Sequence, residues 1–414
     1  MATLDVGFCR RQFPALGSDW ALLDNAGGSV TPRQVTARIT EHLERRMVQL
    51  GASYPLSEES TERVLQGREA VAALMNATRD EVVLGASTTQ NLGLLARALR
   101  LAPGDEVVVS NLDHESNVGC WRQLEARGVV VREWRAAGSA EDPGSVELRF
   151  EELEPLLGSR TRWVCFSHCS NLVGAVHDVA TLTRQIQRSG ARVCVDGVAY
   201  APHRAIDVRA WGVDAYAFSL YKTYGPHLGA LFLKRELQEE LTPQNHFFID
   251  DGDPAYRFMP GGVSHELAAG LPGILEYLDA VHAHHFPEGT GSGVRERLQA
   301  VFELFGAHEA RLSAALLEIL ASLPEVRVLG PASASDPRRA PTIGFWRPGL
   351  HSSRVPEALD ARHVAVRWGH FYAHRLVGAL GLHEQGGVVR ASFVHYNTLE
   401  EAARLGAALV EVLG

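Results

Sequence analysis

Residues 192–234 read RVCVDGVAYAPHRAIDVRAWGVDAYAFSLYKTYGPHLGALFLK, and this stretch decides the fold. It contains three short apolar runs, Arg192–Asp196, Ala215–Ser219 and Leu228–Lys234. Each is rich in Val, Leu or aromatic residues and lacks polar alternation, the pattern of strands covered on both faces. Only Leu220–His227 separates the last two runs. That connection is too short for a crossover helix, so these two strands are expected to be antiparallel neighbours.

Working outward, similar runs recur at Glu81–Gly85, Glu106–Ser110, Val129–Trp134 and Arg162–Ser167. Helical patterns such as Glu59–Ala77 and Val179–Ser189 lie between most of them. The alternation predicts an α/β domain built on a large, mostly parallel seven-stranded sheet. A loop signal, PEGTGSG at 287–293, marks a candidate boundary. Beyond it come a long helical pattern (Val294–Ala321) and strand-like runs at Val326–Gly330, Thr342–Trp346, Val364–Arg367 and Val388–Val394. A last helix is expected over Leu399–Leu413. The expected organisation is an N-terminal segment (1–20) packing on the small domain, a large domain (21–286) and a smaller α+β domain (287–414).

With 414 residues, 46% hydrophobic and 21% charged, the composition is that of an ordinary globular chain. A net charge of −9 argues against broad phosphate-backbone binding, so no nucleic-acid partner is expected. The first residues, MATLDVGFCRRQF, carry no apolar signal run, and no window approaches 18 uncharged apolar residues. Neither a membrane span nor a membrane partner is expected. The five cysteines have no framework spacing, and Cys165 and Cys194 fall in core-like runs. A reduced, cytoplasmic setting is the expectation. His168-Cys169 and the HAHH stretch at 282–285 lack ligand spacing, so no metal is expected.

The cations are the informative count. Of 40 Lys and Arg, only Lys222 and Lys234 are lysines. An amine can lose its proton and become a nucleophile or Schiff base, which a guanidinium cannot. Lys222 lies in the connection after Ala215–Ser219; Lys234 reads as a solvated strand end.

In an open α/β sheet, ligands bind at the carboxyl ends of the strands. The residues just beyond each run are therefore the candidates. Ala86–Asn91 (ASTTQN) opens a helix, which suits a phosphate or serves as a plain N-cap. Asn111–Asn117 brings His114, either a ring-stacking and proton-moving group or a surface histidine. His168–Gly174 holds a turn around Asn171. Asp196 ends a buried run, where a carboxylate needs a partner. Ser219-Leu220-Tyr221-Lys222 follows. Phosphate donors, a stacking His, a carboxylate 26 positions before a lysine and that lysine at a strand end fit one cofactor, pyridoxal 5′-phosphate. No GxGxxG follows the first strand to suggest a nicotinamide.

Three segments, VDGVAYAPHRAIDV (195–208), FSLYKTYGPHLGALFL (218–233) and VRASFVHYNT (389–398), resemble the class V aminotransferase family, fold type I. The similarity runs from LDNAGG (23–28) to the end of VRASFVHYNT and lies closest to the cysteine-desulfurase-like branch. It implies an aspartate-aminotransferase-like fold and an enzyme acting on a small-molecule amino-acid substrate. It also implies residue roles. Lys222 matches the Schiff-base lysine, Asp196 the partner of the pyridine nitrogen and His114 the stacking residue and acid/base. Ser87, Thr88 and Ser219 match the phosphate contacts, and Tyr221 a position beside the cofactor. Asn171 matches the amide near the cofactor's ring hydroxyl and the substrate carboxylate, and Arg390 the arginine that clamps that carboxylate. Tyr54 matches a position near the substrate. Gly262, in RFMPGGVSHE (257–266), matches a segment that reaches the partner's phosphate, which implies a homodimer with shared active sites.

The departures bear on the reaction. Tyr221 stands where desulfurases have a histidine, and Ala199 where they have a glutamine. The mobile loop reads Arg367-Trp368-Gly369-His370-Phe371-Tyr372-Ala373, with Tyr372 where the persulfide-forming cysteine belongs. A phenol does not accept sulfur as a thiolate does. The resemblance without that cysteine implies a C–S lyase acting on a cysteine S-conjugate, with Phe371 and Tyr372 beside a bulky thioether, of a kind found in natural-product biosynthesis. Transamination, epimerisation and decarboxylating oxidative deamination share the cofactor and stay open. So do cysteine desulfuration and a non-catalytic cofactor-binding scaffold.

Overall fold

The computed structural model describes residues 3–249, 252–288 and 292–414. Its centre is a seven-stranded sheet of β1 (Val82–Gly85), β2 (Glu106–Ser110), β3 (Val130–Trp134), β4 (Thr161–Ser167), β5 (Arg192–Asp196), β6 (Ala215–Ser219) and β7 (Gly229–Leu233). The spatial order is β1-β7-β6-β5-β4-β2-β3. All pairs are parallel except those of β7, which runs antiparallel to both β1 and β6. The expected seven-stranded α/β sheet is present, and the short connection after β6 reverses the chain as its length demands. Apart from Arg192 at the start of β5, strands β2, β5, β6 and β7 are buried along their whole length, as their apolar runs require.

Helices α1 (Arg33–Arg45), α2 (Pro55–Met75) and α3 (Thr88–Ala98) precede most of the sheet, and α4 (Pro272–His285) follows it. The HAHH stretch ends α4 and docks N-terminal residues: the His284 ring stacks on Phe8 at 4.0 Å, and His285 Nε2 accepts from the Asp5 amide. Of the loop expected at 287–293, residues 289–291 lie outside the described residues.

The remaining sheet is antiparallel, with β8 (Arg327–Val328), β9 (Thr342–Trp346), β10 (Arg367–Gly369) and β11 (Val388–Ser392) in the order β10-β11-β9-β8. The run expected over Val364–Arg367 splits. Val364 and Ala365 pair in parallel with Ala21 and Leu22, whereas Arg367 joins β11. Helix α5 (Val294–Ala321) is shared: Val301 and Phe305 join the large apolar core, Leu312 and Leu316 a second one with α6 (Leu399–Leu413). Residues 3–20 touch both bodies. Phe13 packs on Tyr224, Tyr277 and Tyr396, and Arg10 pairs with Glu401. We propose the division into 21–286 and 287–414 on the ground that two apolar clusters exist, with α5 bridging them.

Candidate active site

Strands β2, β4, β5 and β6 are parallel, so their carboxyl ends share one edge of the sheet. Antiparallel β7 begins at that same edge, where Gly229 is opposite both Ser219 and Gly85. A cleft opens there. Ser87, Thr88, His114, Asn171, Asp196, Ser219, Tyr221 and Lys222 all line it, so the structure brings these expected residues together from five separate chain segments.

One end of the cleft is built for an anion. Ser87 caps α3 by accepting from the Gln90 amide at 3.1 Å. Thr88 Oγ1 and Ser219 Oγ are buried and lie 2.8 Å apart. A Cβ on Gly229 would come within 2.4 Å of the Ser87 carbonyl carbon and 2.5 Å of the Thr88 nitrogen, so only glycine lets the helix start sit this close. A helix N-terminus with two hydroxyls satisfies a phosphate.

At the other side Asp196 ends β5. Its Oδ1 accepts from the Val198 amide at 2.9 Å, and no donor among the described residues reaches its second oxygen. Burial pushes this carboxyl up to about 6, against the opposing pull of the Val198 hydrogen bond and Lys222. The Lys222 amine is pushed down to about 8, by burial first and by Arg390 next, with Asp196 opposing. Burial, Lys222 and Arg390 push His114 down to about 3, so its ring is neutral. The Ser116 amide donates to His114 Nδ1 at 3.1 Å, which leaves the ring proton on Nε2.

The group around Arg390 is assembled and covered. Arg390, on β11, is buried; its Nη1 donates to the Asn171 carbonyl at 3.1 Å and its Nη2 to Asp24 Oδ1 at 2.8 Å. Its Nε is buried with no partner among the described residues. The Phe371 ring lies over the guanidinium, centroid 3.9 Å from Cζ, and the Phe371 carbonyl accepts from Asn171 Nδ2 at 2.8 Å. Phe371 and Tyr372 have φ of 48° and 62°, consecutive left-handed non-glycine residues. Such backbone costs on the order of 1 kcal/mol per residue and must be held by its surroundings. Here the holding contacts are explicit. The Glu115 amide donates to the Tyr372 carbonyl at 2.8 Å, and Arg375 forms a two-pronged pair with Glu115 at 3.2 Å. Tyr372 places its ring 4.8 Å from His114.

Two expected residues are elsewhere. Tyr54 sits before α2, 46% exposed and outside the cleft. Gly262 lies beyond the cleft of its own chain, beside Gly85, Ala86 and His227. Other contributors were not singled out from sequence. Asp113 is buried and accepts from Asn117 Nδ2 at 2.6 Å and from the Ser167 amide and hydroxyl at 3.1 and 3.0 Å, which fixes the turn that carries His114. Asp24 bridges Arg390 and Arg367, its Oδ2 3.4 Å from Arg367 Nη1. The LDNAGG motif and the register of Arg367 opposite Arg390 are the signals that could have found this pair. Cys169 lines the cleft, but burial pushes its thiol up to about 12. Cys120 is on the neighbouring wall, its thiol donating to the Ser116 carbonyl and likewise raised by burial.

An anion seat, a deprotonable amine and a carboxylate with one free oxygen, all in one cleft of an α/β sheet, fit a phosphorylated pyridine aldehyde. That donor set and fold define a pyridoxal-phosphate enzyme of fold type I. A sequence profile of the family described as aminotransferase class-V matches residues 21–246 and 298–405, and the chain belongs to that family. An aminotransferase-like protein of Gibberella zeae is 40% identical over 98% of this chain and 97% of its own length. A cysteine desulfurase-like protein of Aspergillus flavus is 32% identical over 99% of this chain and 91% of its own. The apo structure of a cysteine desulfurase from Thermococcus onnurineus superposes with a TM-score of 0.86 at 25% identity, covering 100% of this chain and 99% of that one. The cofactor is pyridoxal 5′-phosphate. Among the described residues no helix is long and apolar enough to cross a membrane.

Proposed function

We propose that this enzyme is a C–S lyase that cleaves an L-cysteine S-conjugate by β-elimination. The observation that carries the reading is the loop tip. Tyr372, not a thiol, faces His114 at the cleft mouth, and the two nearby thiols, Cys169 and Cys120, are held protonated by burial. A sulfur released at the cleft therefore meets no thiolate to take it up.

When bound, pyridoxal phosphate supplies an electron sink for the α-carbon of the amino acid. Thr88, Ser219 and the start of α3 would hold its phosphate, and Asp196 would keep its ring nitrogen protonated. Lys222 Nζ would carry the aldehyde and, once displaced, take the α-proton; an amine near pKa 8 is matched to that task. Neutral His114, with its proton on Nε2, would pack on the ring and donate to the departing sulfur. Arg390 and Asn171 would orient the α-carboxylate, Arg390 through its unpartnered Nε. Phe371 must leave the clamp for this, so carboxylate binding is linked to loop movement.

A second reading, transamination, is favoured by the name of the 40% identical relative. Product analysis separates the two. Pyruvate, ammonia and free thiol from S-substituted cysteines support elimination. Transfer of the amino group to a 2-oxo acid, with the C–S bond intact, would replace it.

We propose in addition that the enzyme is a homodimer in which Gly261 and Gly262 serve the partner's cofactor. Gly261 has φ of 77° and Gly262 of 78°, and both lie outside their own cleft. Phe247 and Phe248 nearby are 97% and 68% exposed, apolar surface that a second subunit would cover. Sedimentation as a monomer at micromolar concentration would end this proposal.

A further inference from the structure

Beside the cofactor cleft lies a second groove, of about 610 Å³, that no role above uses. It shares Thr89, His114, Ser116 and Tyr221 with the cleft, so the two communicate. Its floor follows from helix geometry. Thr89, Gly93 and Arg97 recur every four residues along one face of α3, and Gly93 leaves a trough where a side chain would stand. Gly119, on the short helix Gly119–Arg122, also lines the groove, with Glu115 Oε1 3.3 Å from where its Cβ would stand. Tyr221 and the 62% exposed Tyr372 form the walls at the inner end.

The charge at the far end is unbalanced. Arg97 has no hydrogen bond or ion pair among the described residues. Its Nη1 comes within 3.4 Å of the Cβ position on Gly93, so the guanidinium folds back over the trough toward the cofactor cleft. The acid in the groove, Glu115, is already tied to Arg375. Gly93 lies four residues past Thr89, about 6 Å along the helix axis. A ligand leaving the cleft thus passes between two phenol rings, runs about one helical turn over glycine, and meets a free cation.

We infer that this groove is the subsite for the S-substituent of the substrate, and that it selects a chain ending in a carboxylate. The inference rests on the lyase reading for the identity of the amino acid but not for the presence of the groove. The substrate class is then a cysteine thioether carrying a short linear chain with an anionic end. Arg97 is a specificity residue; it touches no reacting atom.

The test is a titration of the holoenzyme with S-(3-carboxypropyl)-L-cysteine, its terminal amide and S-butyl-L-cysteine, followed by the cofactor absorption band and by calorimetry. Arg97 is solvent-exposed, so the carboxylate should bind about three- to fivefold tighter than the amide, the size of one exposed ion pair. Arg97→Gln should reduce that ratio to about twofold or less and leave S-butylcysteine binding within about twofold. Gly93→Leu should weaken all three by about tenfold while leaving L-alanine unaffected. A wild type that does not prefer the carboxylate, a preference that survives Arg97→Gln, or indifference to Gly93→Leu overturns the assignment. Thiol release is scored separately. Charge selection without thiol release sinks the lyase reading and keeps the groove.

Discussion

The Lys222 amine offers the sharpest quantitative check on the site. Its value of about 8 results from burial and Arg390 pushing down and Asp196 pushing up. At pH 7.5 about a quarter of such amines are neutral, against about one in a thousand for a lysine at the ordinary 10.4. In cofactor-free protein, acylation of Lys222 by a small activated ester should therefore be faster by roughly two orders of magnitude than for an ordinary lysine, and its rate should level off above about pH 8. The chain simplifies the assay, because Lys234 is the one other lysine and normalises the reagent in the same digest. Two variants fix the cause. Arg390→Gln should raise the midpoint, since a cation has been removed; Asp196→Asn should lower it, since an anion has. The same shift has a stability consequence. Between about pH 8 and the ordinary lysine value, the unfolded chain binds the proton that the folded chain has lost, so cofactor-free protein should gain stability as pH rises across that window. A wild-type midpoint near 10, or a midpoint that falls in Arg390→Gln, would refute the electrostatic account of the cleft.

Other expectations concern the groups around the clamp. Asp24→Asn leaves the buried Arg390 charge without its anion, and urea denaturation should show a loss of about 1–3 kcal/mol. Phe371→Ala removes the ring from the guanidinium; if, as proposed, that ring competes with the substrate carboxylate, KM should fall several-fold, by the roughly 0.5–2 kcal/mol of a cation–π contact, and an unchanged or higher KM would show that the ring is no competitor. Tyr372→Cys puts a thiol at the loop tip beside neutral His114. Incubation with L-cysteine should then yield a protein-bound persulfide detectable by mass spectrometry, and its absence would mean that more than the missing thiol separates this enzyme from desulfurases.

Much of the large sheet was legible because its strands are buried on both faces. Val107, Val108 and Val109, or Ala230 to Leu233, can only be interior, and the observed strands fall within a residue of the apolar runs. Chain length fixed the direction of β7, since a crossover did not fit between Ser219 and Gly229. Partner choice was less legible. Val364–Arg367 reads as one strand, yet Val364 pairs with Ala21 while Arg367 faces Arg390. Local pattern reports that a residue is extended and covered; it does not report which distant segment covers it.

The same distinction divides the site. Residues that follow a strand end, such as Asp196, Asn171 and Lys222, could be found because the edge of an α/β sheet collects them. The groups that set their charge and posture could not, because these act in pairs drawn from distant parts of the chain. Asp24 meets Arg390 across 366 positions and Glu115 meets Arg375 across 260. Nothing local marks Glu115, and Asp24 is marked only by its place in the LDNAGG motif. Tyr54 lies outside the cleft of its own chain: its motif sits before a helix whose start faces outward, 46% exposed. The strained tip at Phe371 and Tyr372 shows why those pairs matter. Two left-handed non-glycine residues do not hold themselves; the carbonyls of both are caught by Asn171 and Glu115, and Glu115 is in turn fixed by Arg375. In the proposed function Asn171 and Arg390 thus have two alternative occupants, the loop and a carboxylate. Under that proposal the loop moves whenever an amino acid binds, and it carries Tyr372, one of the residues at which this chain departs from the desulfurase pattern.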